Sequence, residues 1–295
     1  MKGKLRKLCL AVLVPLLLLA GCGQGKEQAK EQNPEELLKE VISSQKQLKS
    51  GKLQMTMNFK AAVPLEEAQD LLGDVQNSAI QMDMDADMQF QEERMRMDGE
   101  LNMQLMSMNI PVPIESYTVK NDDKYVTYTK NGEEWQKSET DVSSGNMGAL
   151  VFAGQELYQG IQEDSLSMTE ETVVLDDEKS IECYVIHSSI GGEVLNSLFG
   201  MASQMQGQED VLGSFRIDDE KVDVDLYIDQ KNKEIVRTRI DMKQLMEKMM
   251  SDLAAEAGSG ETMKIDRFEM AVTIKERGEA VEVEIPQEAL DATGL

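Results

Sequence analysis

The sequence predicts an α+β fold: one large antiparallel sheet of about eleven strands, with helices gathered on one side. Three observations predict it. Long stretches alternate apolar and polar residues with a period of two. Nearly every such stretch joins its neighbour through a short turn. Helical periodicity is confined to a few segments between the strands.

The first helix is expected from residue 34. Asn33 is a capping residue, Pro34 suits the first turn, and Glu35-Glu36 complement the helix dipole. Leu37, Leu38, Val41, Ile42, Gln45 and Leu48 then recur at helical spacing, and Ser50-Gly51 ends the run. Beyond it the period changes. Leu53, Met55, Met57 and Phe59 alternate with polar residues. Ile80, Met82, Met84, Ala86, Met88 and Phe90 form a second run, and Met95, Met97, Leu101, Met103 and Leu105 a third. There the phase slips to Met106, Met108 and Ile110, which predicts a bulge near Met106, and Gly99 would let a long strand bend. Asn121-Asp122-Asp123 and Asn131-Gly132 mark tight turns. Residues 147–161 are helical in pattern, and 168–175 and 181–188 form the next strand pair. Glu193 to Met205 is a further helix, 222–228 and 235–240 another strand pair, and 245–255 the last helix. Strands over 265–275 and 280–285 are expected to close the chain. Because the apolar positions alternate, one face of the sheet is expected to be wet.

The chain carries 30 basic and 55 acidic residues and a formal charge of −25. Such a surface repels nucleic acid and anionic headgroups, so no nucleic-acid partner is expected. Met1 to Lys7 is cationic, and Leu8 to Ala20 is almost wholly apolar. These are the n- and h-regions of a secretory signal. The apolar run is short of the about 20 residues that a membrane span needs. It ends in Leu19-Ala20-Gly21-Cys22, which resembles the bacterial lipobox. That resemblance implies cleavage before Cys22 and acylation of its thiol and new amine. The chain then divides into a signal peptide over 1–21, a lipidated tether over 22–33 and a single domain over 34–295. The expected place is the extracytoplasmic face of the cell membrane. Four basic residues leave with the signal, so 26 basic residues face 55 acidic ones and the formal charge becomes −29. Gly23 to Asn33 has no large apolar residue; as a coil it spans roughly 18 Å and at most about 37 Å extended. Cys9 leaves with the signal, so Cys183 is the one remaining thiol and reads as a buried strand residue.

The lipobox, the tether, the first helix and the long meander together resemble the LolA/LppX-type bacterial lipoprotein carriers. They are also similar to uncharacterised Gram-positive envelope lipoproteins. Gly132-Glu133-Glu134-Trp135-Gln136-Lys137 resembles a Gly-x-x-Trp-x-Lys stretch of such chains, and Val281-Glu282-Val283-Glu284-Ile285-Pro286 their closing strand. The resemblance implies a strongly curved half-barrel with helices on its concave side and acyl chains held between them.

Methionine is the oddity of the composition, with 21 in the chain. A core face filled by flexible side chains is one reading. A cavity for varied apolar ligands is another, because thioethers adapt to irregular shapes. A copper(I) site is a third, since soft ligands select soft metals. The candidate ligand-binding residues are Leu53, Met55, Met57, Met82, Met84, Met88, Met95, Met97, Met103 and Met270. Phe268 and Val272 are expected on the same face, and Asp83, Asp85 and Asp87 on the opposite one. Those three acids resemble the start of a calcium loop, but Met88 stands where it needs Gly and Arg94 where it needs Glu. Ser43-Ser44-Gln45-Lys46 matches Ser-x-x-Lys without its supporting motifs. His187 is the sole histidine. No catalytic residue, cofactor or metal is expected. The reading is a non-enzymatic carrier whose partners are the membrane, through acyl chains on Cys22, and a hydrophobic molecule or lipid. The alternative is an interaction or structural module with a closed core; no protein partner is legible.

Replacing Cys22 by Ala should abolish incorporation of a labelled fatty acid and release the protein from membranes. Unchanged label in Cys22→Ala would refute the assignment.

Overall fold

A computed structural model describes residues 32–45, 48–62, 79–91, 93–105, 108–141, 158, 160–161, 165–176, 179–192, 194–196, 220–256, 263–278 and 282–292. Cys22 and nearly all of the tether lie outside these residues, as does most of the predicted helices over 147–161 and 193–205. Of those two helices, Tyr158 and Gly192, with Val194 to Asn196, are helical.

Eleven strands make one antiparallel sheet. They are β1 (Ser50–Ala62), β2 (Ala79–Gln91), β3 (Arg94–Leu105), β4 (Met108–Asn121), β5 (Lys124–Asn131), β6 (Glu134–Asp141), β7 (Ser167–Asp176), β8 (Lys179–Ile190), β9 (Val222–Asp229), β10 (Ile235–Asp241) and β11 (Lys264–Arg277). The spatial order is β6-β5-β4-β3-β2-β1-β11-β10-β9-β8-β7. The sheet is open and curved, with β6 and β7 at its two edges. Two meanders therefore meet in the middle, where the first strand pairs with the last. Phe59 and Phe268 face each other across this seam as an edge-to-face pair 5.4 Å apart, a geometry worth about 0.5–1.5 kcal/mol beyond the area it buries.

Helix α1 (Pro34–Gln45) starts as its sequence predicts: the backbone amides of Glu35 and Glu36 donate to Asn33 Oδ1 at 2.8 and 3.3 Å. Leu37, Leu38 and Val41 are its buried face. Helix α2 (Lys243–Glu256) is capped by Asp241, whose Oδ1 accepts from the Lys243 amide at 2.9 Å. Its Leu245 and Met249 join α1, Phe59, Phe268 and Leu226 in the largest core cluster. A second cluster on the same sheet face holds Leu53, Met55, Met88, Phe90, Met95 and Ile274.

Two expectations are corrected. The phase slip at Met106 is the end of one strand and the start of the next, because Leu105 pairs directly with Met108. A two-residue connection puts an odd position opposite an even one, and this produces the change of parity. Residues 282–286 are not a strand. β11 is already paired on both edges, with β1 and β10, so no edge is open to a hairpin partner. The chain instead runs into α3 (Gln287–Leu290), and Val283 and Ala289 bury themselves against Tyr117, Val126 and Tyr128.

That contact also changes the expectation of one wet face. By strand parity, Tyr117 and Tyr128 lie on the face opposite the methionines, as do Cys183, Val185 and Tyr227 at the other side of the sheet. The outer face is therefore polar only at its centre. Trp135 belongs to the outer cluster near Tyr117, 5.7 Å between ring centres, and Gly132 forms the preceding turn at φ 64°.

Gly99 sits opposite Ala86, and a Cβ there would lie 2.2 Å from the Asp85 carbonyl oxygen and 2.5 Å from Ala86 Cα. Backbone cannot move aside cheaply. Gly99→Ala gains about 0.4–1 kcal/mol from the unfolded state but overpacks by about 1–3 kcal/mol. Net destabilisation is expected, read as a lower urea midpoint at unchanged slope.

Candidate functional site

All ten predicted residues share the helix-bearing face, because their strands pair in register. One row runs Ile240–Met270–Met57–Met84–Leu101–Val112 across β10, β11, β1, β2, β3 and β4. The next row runs Phe268–Phe59–Met82–Met103–Ile110. Two further rows are Val272–Met55–Ala86–Gly99 and Ile274–Leu53–Met88–Met97, and Met95 stands beside Phe90.

Burial divides these rows. Leu53 and Met88 are 2% exposed, and Met55 and Met95 9%. They lie toward the Ser50 end of β1 and are packed shut. Met57, Met82, Met84, Met97, Met103 and Met270 are half-buried. These lie in the middle row or on β2 and β3; beyond them on β1 and β11, Phe59, Ala61, Ile265 and Phe268 are buried again. Ala86 is 1% exposed, and Ala86 and the Asp85 carbonyl fill the space beside Gly99. On the opposite face Asp85 and Asp87 are exposed, while Asp83 is half-buried and accepts from Gln81 Nε2 at 2.6 Å.

On the outer, polar side the sheet has hollows. One, of about 370 Å³, is bounded by Lys52, Asp87, Gln89 and Lys275, with Leu53 and Met88 at its floor. Another, of about 290 Å³, includes Met270, Ala271, Thr56 and Thr273 in its lining. Arg237, Arg239 and Arg267 stand around it. Each guanidinium has a partner: Arg237 Nε donates to Thr273 Oγ1 at 2.9 Å, Arg267 Nε to Glu269 at 2.7 Å, and Arg239 Nε to Asp225 at 2.8 Å. The chemistry such a hollow offers is recognition of an oxyanion.

The sole histidine is better placed than a lone residue in a sequence indicates. His187 Nδ1 is 2.7 Å from Asp225 Oδ1, and its Nε2 is 2.8 Å from Thr169 Oγ1. Hydroxyl, imidazole and carboxylate follow one another in the order of a nucleophilic relay. Asp225 is further bound by Arg239. The group is a polar clamp that ties β7 to β8, β9 and β10. The signal was available in the sequence: His187 and Asp225 share a face by strand parity. Finding it required knowing that β7, β8 and β9 are neighbours.

Cys183 is fully buried, and burial pushes its thiol up to about 11. It is protonated and unreactive at neutral pH. Burial beside β10 likewise raises the Tyr158 hydroxyl, which sits 3.2 Å from Thr238 Oγ1.

The chain belongs to a family of unknown function, DUF6612, which matches residues 33–294. Among solved structures it is similar to a beta-barrel-like protein of the domain of unknown function DUF1849 from Brucella abortus. The two are 9% identical, the match covers 79% of this chain and 99% of the other, and the TM-score is 0.22. No curated protein matches the chain.

Met84 lies between Met57 and Leu101 in the half-buried row. Met84→Asp should lower stability by about 1–3 kcal/mol, because a carboxylate there is partly desolvated. Met84→Leu keeps the volume and should cost less than about 1.5 kcal/mol. Urea titration of both variants measures the difference. Equal, negligible effects would mean that this face is not part of the core.

Proposed function

We propose that this chain is a membrane-anchored lipoprotein of the cell envelope that holds or carries a hydrophobic, lipid-like ligand and does no chemistry on it. The carrying observation is the graded methionine face. A closed core packs side chains to crystal-like density, as the Leu53, Met55 and Met88 end does. The row through Met270, Met57 and Met84 stays half-buried, although it lies at the centre of the sheet. Flexible thioethers reshape around a guest at less packing loss than Ile or Val. Anchoring rests on the lipobox-like Leu19-Ala20-Gly21-Cys22. The absence of catalytic activity rests on the lack of recognisable catalytic motifs in the sequence. It rests also on the clamp geometry of His187.

A second reading has its own observation. Two hollows open on the polar outer face, one of them ringed by Arg237, Arg239, Arg267 and Glu269. This favours a surface interaction or structural module whose methionine face is closed and holds nothing.

Native mass spectrometry of the purified protein, followed by organic extraction, separates the two. A carrier should show mass adducts that extract as lipid, and Met84→Leu should change their amount or composition. A preparation free of adducts after incubation with envelope lipids favours the interaction module.

A further inference from the structure

Leu101 to Ile114 contains no charged residue, in a chain where 29% of residues are charged. This stretch ends β3 and begins β4, so it forms one end of the sheet. Met108 is 55% exposed and Ile110 39%, two of the four large apolar residues most open to solvent. β4 pairs with β5 only from Ser116 onward. Met108 to Ile114 therefore has no strand partner on that edge among the described residues.

An exposed apolar edge can recruit another strand, a lipid surface, or nothing. Strand addition needs backbone donors, and Pro111 and Pro113 remove two of them at the same parity, on this short free edge. What remains is an apolar wedge of side chains suited to a non-directional medium. The contact is apolar rather than ionic: Lys264 pairs with Asp266 and Arg267 with Glu269, and the β1–β2 connection adds Glu66, Glu67, Asp70 and Asp74 to the sequence at this end. The half-buried pair Met82–Met103 shares its row with Ile110, so the half-buried part of the methionine face on β2 and β3 adjoins this stretch.

We propose that the β3–β4 end, through Met108 and Ile110, inserts into the surface of a lipid bilayer and turns the half-buried Met82–Met103 row toward it. The proposal rests on the membrane-anchored reading above. An eleven-residue tether of at most about 37 Å holds the domain within reach of the bilayer, and the wedge then sets its orientation.

The test uses the mature, acylated protein on vesicles of mixed phosphatidylcholine and phosphatidylglycerol whose acyl chains carry a bromine quencher. A polarity-sensitive dye is attached to Met108→Cys or, at the opposite end of β4, to Asp122→Cys. Cys183 is buried and protonated, so labelling falls on the introduced thiol. The expected result is a blue shift and quenching at position 108, neither at 122, and loss of both signals at 108 when Ile110→Asp is added. Flotation of the vesicles reads anchoring separately. Protein that floats with an unquenched dye at 108 overturns the wedge and leaves anchoring standing. Protein that does not float, yet is quenched at 108 on mixing with vesicles, upholds the wedge and overturns anchoring. Quenching at neither position without flotation overturns both. Equal quenching at 108 and 122 overturns the orientation.

Discussion

Everything in this fold depends on the pairing of the first strand with the last. β1 and β11 lie side by side over their whole length, Thr56 opposite Ala271, 215 positions apart in the chain. Closing so long a loop costs about 5 kcal/mol. Two or three side chains buried at the seam, at about 1.5–3 kcal/mol each, offset that cost; Phe59, Phe268 and Leu53 are such residues. Without the seam there would be two meanders, each with a long exposed edge. With it, the methionines of β1, β2 and β3 come into line with Met270 and Ile240, and one continuous apolar face exists for α1 and α2 to cover.

That face is closed around Leu53 and again around Phe59 and Phe268, and half-buried in the methionine row between them and on β2 and β3; the composition explains the difference. At the Ser50 end Phe90 and Ile274 wedge between Leu53 and Met88. The half-buried positions Met57, Met82, Met84, Met103 and Met270 are all unbranched thioethers. Unbranched side chains pay more rotamer entropy to be fixed than branched ones, so a methionine row gains less from locking into a single arrangement. The same sheet can therefore be stable as a fold and adaptable as a surface, with the two properties located on different rows.

Much of this was legible in the sequence. The period-two runs gave the strands, Asn33-Pro34 the start of α1, and Asn131-Gly132 its turn. The ten predicted residues fall on one face because the side-chain period of a strand is fixed by geometry. What local pattern cannot give is which strand lies beside which. The Val281 to Ile285 run alternates as a strand does, yet no edge of β11 is open to it. The slip at Met106 has the same sequence signature as a bulge, and only the Leu105–Met108 pairing identifies it as a hairpin. The outer clusters were hidden for a related reason. Ile181-Glu182-Cys183-Tyr184-Val185-Ile186 is apolar on both parities, which marks a strand covered on both faces. The clamp at His187 needed three strands to be placed before its partners could be named.

The outer face carries a cost that the rest of the arrangement makes intelligible. Asp87 stands opposite Asp98, Asp85 opposite Glu100, and Asp98 opposite Glu115. Like charges across a pair of strands are unfavourable by a few tenths to about 1 kcal/mol each. Some of that is relieved locally. Gln54 Nε2 donates to Asp85 at 2.8 Å, Arg96 pairs with Asp98, and Lys130 pairs with Glu115 at 3.0 Å. The remainder is retained on a broad, gently curved surface of long strands, the kind most exposed to stacking against another sheet. Charge of one sign prevents that association. Glu100 and Glu115 are the last charges of this ladder before the uncharged stretch from Leu101 to Ile114 begins. The acid ladder and the apolar end are thus complementary features of one surface. One keeps most of the molecule away from other surfaces. The other leaves a stretch, Leu101 to Ile114, whose own contact buries no charge.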